Sequence, residues 1–114
     1  MAEPQNQTSA LRRRNLEDSV VLAMQDAWAV ALLGPRQSGK STLAKMLVAD
    51  RLPADYLTLD EQATRSLALG DPEGFIAGLT RRTVIDEVQR APELLLAIKV
   101  RLDRDDTPGQ LLLT

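Results

Sequence analysis

Apolar positions along the chain follow two periodicities in alternation, and they divide it into a series of short elements. From about Leu11 to Met24, the residues Leu16, Val20, Val21 and Met24 recur at three- and four-residue spacing, which predicts a helix with one buried stripe. Trp28 to Leu33 is a continuous apolar run closed by Gly34-Pro35, the pattern of a strand buried on both faces of a parallel sheet. Leu43, Met46 and Leu47 then give a short helix its inward face. Beyond Pro53, Tyr56 to Leu59 reads as a strand and Glu61 to Leu69 as a helix closed by Gly70. Asp71 before Pro72 has the form of an N-cap followed by proline in the first helical position. Thr83 to Ile85 is a short β-branched strand, and Pro92 to Arg104 a helix expected to bury Leu95, Ile98 and Leu102. Pro108-Gly109 breaks that helix, and Gln110 to Thr114 opens another apolar strand.

Strands alternating with helices imply an α/β domain of three layers, with a mainly parallel sheet and right-handed crossovers. The polar stretch Met1 to Ala10 lacks apolar periodicity and reads as a mobile leader, leaving residues 11–114 as the one domain. A chain of 114 residues buries roughly 65% of the surface its unfolded form exposes, enough for a single core.

Composition narrows the chemistry. Apolar residues are 44% and charged residues 26%, an ordinary globular mix. A net charge of −2 and only three aromatic residues argue against direct nucleic-acid binding. Without cysteine or histidine, neither a thiolate nucleophile nor an imidazole base is available, so acid-base work falls to carboxylates. No apolar run approaches the roughly 18 residues of a membrane span, which predicts a cytoplasmic protein.

The segment Gly34-Pro35-Arg36-Gln37-Ser38-Gly39-Lys40-Ser41 satisfies the phosphate-loop pattern, between a predicted strand and a predicted helix. Gly34 and Gly39 permit backbone angles at which successive N–H groups turn inward around an anion. The helix start adds its positive end, Lys40 places a cation beside the β- and γ-phosphates, and Ser41 offers a hydroxyl to Mg²⁺. Thr42 completes the loop's contact set. An Asn-Lys-x-Asp element for guanine is missing, so the expected nucleotide is ATP with Mg²⁺.

Asp86-Glu87 ends a predicted strand, and in such sheets the carboxyl ends of the strands form the ligand edge. Asp86 is therefore the candidate for the magnesium shell, and Glu87 the candidate to polarise a water against the γ-phosphate. For Gln89 and Arg90 a solvated turn competes with γ-phosphate sensing or contact to a neighbouring subunit. Arg12, Arg13 and Arg14 read as the solvated first turn of a helix, with phosphate binding as the alternative, and Arg101 and Arg104 as helix-surface charges.

The stretches Gly34-Pro-Arg-Gln-Ser-Gly-Lys-Ser-Thr42, Val84-Ile-Asp-Glu-Val-Gln-Arg-Ala-Pro92 and Leu111-Leu-Leu-Thr114 together resemble the AAA-type ATPase domain of bacterial and archaeal ATP-binding proteins that carry a C-terminal domain of unknown function. The resemblance covers roughly Leu11 to Thr114, and the acidic stretch is its more specific part. It implies the P-loop NTPase fold of the additional-strand, catalytic-glutamate class. Lys40 and Ser41 would then lie at the phosphates and magnesium, Asp86 at magnesium, Glu87 as the catalytic glutamate, and Thr114 at the end of the sensor strand. The family pattern continues past this point with a fifth strand, a helical lid and the C-terminal domain, so the chain reads as an N-terminal fragment with an incomplete sheet.

Magnesium-dependent ATP hydrolysis that switches a partner or an appended domain is the leading expectation, with a homo-oligomer or another protein as partner. ATP binding without turnover is the alternative. A nucleotide-kinase-type phosphotransferase ranks third, because no second substrate site or arginine-bearing lid is visible and Asp86-Glu87 favours water as acceptor.

Overall fold

Side chains along the two central strands point alternately to opposite faces of one sheet, and both faces are covered by helices. The computed structural model describes residues 4–32 and 39–114, with side chains from residue 10 onward. In chain order the elements are α1 (Pro4–Asp26), β1 (Ala29–Ala31), α2 (Lys40–Asp50), β2 (Asp55–Thr58), α3 (Gln62–Gly70), α4 (Pro72–Ala77), β3 (Thr83–Asp86), α5 (Glu93–Arg104) and β4 (Leu111–Leu113). The sheet is entirely parallel in the order β1-β4-β3-β2. Parallel pairing requires a crossover between successive strands, and the helices supply it.

On one face, Val84 and Leu112 pack with Val20 and Met24 of α1 and Leu43, Ala44 and Leu47 of α2. On the other, Ile85, Leu111 and Leu113 pack with Ala68 of α3, Ile76 of α4 and Leu94, Ala97 and Ile98 of α5. The three layers expected from the sequence are present. Fully buried leucines such as Leu47 and Leu94 each contribute about 1.5–3 kcal/mol.

Local chemistry sets the element ends. Asp71 caps α4, its Oδ1 accepting from the Gly74 N–H at 3.0 Å, with Pro72 in the first turn. Gly109 turns the chain into β4 with φ +76, and a Cβ there would stand 3.0 Å from the Met24 carbonyl oxygen.

Four expectations need correction. Helix α1 reaches back to Pro4, so most of the presumed leader is helical; proline suits a first helical turn, where its missing N–H costs nothing. Leu16 is 48% exposed, because eight residues of helix rotate it about 80° away from Met24. In α5 Ile98 is buried as expected, but its buried companions are Leu94 and Ala97, while Leu95 and Leu102 face outward. The strand expected to be buried on both faces is the edge strand β1, with Ala29 and Val30 half-buried and Ala31 exposed. No helix among the described residues is long and apolar enough to cross a membrane.

Candidate functional site

Helix α2 starts at the carboxyl end of the sheet, where β3 also ends. Gly39 precedes it in the left-handed region, φ +84, a conformation that glycine adopts without penalty, and its carbonyl accepts the first helical N–H, from Leu43, at 2.9 Å. Lys40, Ser41 and Thr42 form the first turn, where N–H groups lie beyond the intrahelical ladder and the helix dipole is positive. The loop positions Gly34, Pro35, Arg36, Gln37 and Ser38 lie outside the described residues.

Ser41 and Asp86 meet although 45 positions separate them: Ser41 Oγ donates to Asp86 Oδ1 at 2.6 Å. Thr114 Oγ1 donates to the same oxygen at 2.5 Å. Asp86 is the last residue of β3 and only 7% exposed. Burial pushes its carboxyl up, but the hydroxyls of Ser41 and Thr114, with Tyr56 and Thr58 behind them, outweigh that effect and hold it below its ordinary value. The side chain is thus an anion dressed by hydroxyl donors. Tyr56 moves in the other sense: burial first, then the neighbouring Asp86, raises its phenol far above the usual range.

The Ser41 hydroxyl and the Asp86 carboxylate are hard oxygen donors within one contact of each other. Among the described residues no cluster of three or more acidic side chains could cage a metal. Magnesium takes one or two protein oxygens and completes its shell with water and phosphate, a demand that such a pair could meet.

Glu87 leaves the strand through an unusual backbone. Its φ of 59 and ψ of 44 are left-handed, and it is the one non-glycine residue with positive φ among those described. Gln89 Nε2 donates to the Glu87 carboxylate. The Arg90 N–H donates to the Glu87 carbonyl at 3.0 Å, closing a 3-10 turn over Val88–Arg90. Arg90 also pairs with Asp60 at 2.5 Å, which ties this turn to the segment after β2. Arg13 leans on Met46 of α2, and Arg101 pairs with Asp105, the residue that follows its own helix, at 3.8 Å; Arg104 is exposed.

The structure therefore brings Lys40, Ser41, Thr42, Asp86, Glu87 and Thr114 to one edge. Sequence reasoning missed Tyr56 and Thr58. Thr58 stands in register with Asp86 across the β2–β3 pair, and Tyr56 lies two residues earlier on the same face. Their alternation was visible, but the register that sets them beside Asp86 was not.

Known proteins similar to this chain bear on its family. Uncharacterized proteins of Mycobacterium bovis and Mycobacterium tuberculosis are each 36% identical over 104 residues, which is 90% of this chain and 23% of theirs. The chain thus spans about a quarter of the length of these curated relatives. No solved structure matches it. Residues 26–114 match the family described as AAA domain, and the phosphate-loop signature, the parallel sheet and the Ser41–Asp86 junction fit that assignment: the chain belongs to the AAA domain family, with the P-loop NTPase fold.

Proposed function

We propose that this chain binds ATP with magnesium where α2 meets the end of β3, and hydrolyses it to switch a partner or an appended domain. The observation that carries the reading is the hydrogen bond from Ser41 to Asp86, which couples the start of the phosphate-loop helix to the acidic strand end. Gly34 and Arg36 to Gly39 would offer backbone N–H groups to the phosphates, Pro35 having none, and Lys40 would neutralise β- and γ-oxygens. Ser41 and Asp86 would hold magnesium, which when bound supplies charge neutralisation across the same phosphates. Glu87 would orient and deprotonate the attacking water. Such chemistry belongs to a cytoplasmic ATP pool, and a neighbouring copy or another protein would complete the charge stabilisation of the transition state.

ATP binding without turnover is a second reading, favoured by the Gln89 side chain that engages the Glu87 carboxylate. Calorimetry of ATP binding with and without magnesium, followed by phosphate release, separates the two. Lys40→Ala is expected to weaken ATP binding by at least about tenfold, since it removes a charge-assisted contact. Unchanged affinity in a folded Lys40→Ala chain would remove the site.

A further inference from the structure

Val84 of β3 and Leu112 of β4 stand side by side in register and pack on the α2 face of the sheet. Two residues on, alternation returns Asp86 and Thr114 to that same face, where Ser41 of α2 also stands. The Thr114 backbone is held on both sides: its N–H donates to the Ile85 carbonyl and its carbonyl accepts from the Val88 N–H, each at 3.0 Å. A β-branched side chain on so fixed a backbone has few χ1 choices. Thr114 is 5% exposed, and its hydroxyl donates to Asp86 Oδ1 at 2.5 Å.

The proposed reaction gives this hydroxyl no task. A threonine hydroxyl owns one proton and phosphate oxygens accept protons, so Thr114 cannot donate to Asp86 and to a γ-phosphate together. Ser41 differs, because its proton can stay on Asp86 while its oxygen lone pairs remain open to a cation. With both hydroxyls on Oδ1, that oxygen is filled, and the otherwise soft terminal torsion of the aspartate is fixed. We infer that Thr114 is a positioning residue for Asp86: its hydroxyl holds the carboxylate in the orientation that meets the magnesium shell, and it makes no contact with the γ-phosphate. The inference rests on the proposed ATP and magnesium reading.

Thr114→Val removes the proton and keeps the branched shape, whereas Thr114→Ser keeps the proton. ADP, which lacks the γ-phosphate, is the deciding probe, and no turnover enters the readout. Calorimetric ADP affinity in EDTA is expected to be equal in wild type and both variants. Across a magnesium series, Thr114→Val is expected to need about tenfold more magnesium, or beyond, for the half-maximal gain in ADP affinity, the cost typical of losing a hydrogen-bond partner behind a metal-binding carboxylate. Thr114→Ser is expected to follow wild type, and ATP to give the same shift as ADP. A shift seen with ATP alone would overturn the inference and make Thr114 a γ-phosphate contact. Identical magnesium series for wild type and Thr114→Val, or a Thr114→Ser shift as large as that of Thr114→Val, would also overturn it and leave the ATP reading intact. So would a Thr114→Val chain that loses ADP affinity in EDTA or does not fold, by giving the hydroxyl a purely structural role. A wild type with no magnesium-dependent nucleotide binding would remove both readings.

Discussion

The backbone N–H of Val88 donates to the Thr114 carbonyl at 3.0 Å, and the Thr114 N–H donates to Ile85 at 3.0 Å. The end of β4 thus clamps both sides of the Asp86-Glu87 step and holds Glu87 in its left-handed conformation, φ 59. A non-glycine residue there stores strain, and such outliers concentrate at functional sites.

Glu87→Gly is therefore expected to raise unfolding stability by about 0.5–1 kcal/mol, since glycine adopts this conformation freely. The same change is expected to abolish turnover. Glu87→Gln keeps the strain and is expected to leave stability and ATP affinity unchanged while slowing phosphate release about a hundredfold or more. Denaturant melts beside a phosphate-release assay check both; a Glu87→Gly chain less stable than wild type would show that the glutamate side chain is structural.

Asp86 gives an acid limb to stability. Its folded value is depressed, so its contribution is full above about pH 4, the range of an unfolded aspartate, and is lost as pH falls through the folded value. In the magnesium-free protein, Asp86→Asn is expected to lose less stability than wild type on acidification below about pH 4. Parallel acid titrations of the two by circular dichroism make the comparison; equal slopes would mean that the hydroxyl donors do not favour the anion.

The phase of α5 is testable one leucine at a time. Leu94→Ala is expected to cost about 2–5 kcal/mol, because Leu94 is fully buried against the sheet. Leu95→Ala is expected to fall within about 0.5 kcal/mol, because Leu95 is 51% exposed. Chemical denaturation reads the difference, and reversed costs would contradict the helix rotation.

These contrasts mark what the sequence made legible. All four strands, the Asp71 cap and the Ser41 and Asp86 candidates could be read because each has a local signature: a β-branched or apolar run, a capping residue, a glycine-lysine loop. Rotation and neighbourhood are different. Leu94, Leu95 and Leu96 are three consecutive leucines that fit three helix phases, and only packing on Ile85 and Leu111 chooses among them. Tyr56 and Thr58 join Asp86 through strand register, which local sequence does not encode. The apolar run at β1 pointed to a strand covered on both faces, but Ala31 is exposed there.

The edge position of β1 leads to the last expectation. Strand β1 pairs with β4 and has no partner on its other side among the described residues. The Trp28 carbonyl accepts from Leu111, and the Leu32 N–H donates to Leu113 at 2.8 Å, so even-numbered residues turn their backbone groups toward β4. Alternation then aims the N–H of Ala31 at the open side. An apolar strand with an open row of donors and acceptors is a template for pairing with another copy. The 114-residue chain is accordingly expected to self-associate with rising concentration. Ala31→Pro removes the outward N–H without touching the β4 ladder, and proline is tolerated on an edge strand. The variant is expected to stay monomeric to higher concentration while changing stability by less than about 1 kcal/mol. Sedimentation of both chains across a concentration series provides the check. Equal association of wild type and Ala31→Pro would place the contact elsewhere, and a wild type that remains monomeric throughout would show that the β1 edge is already protected.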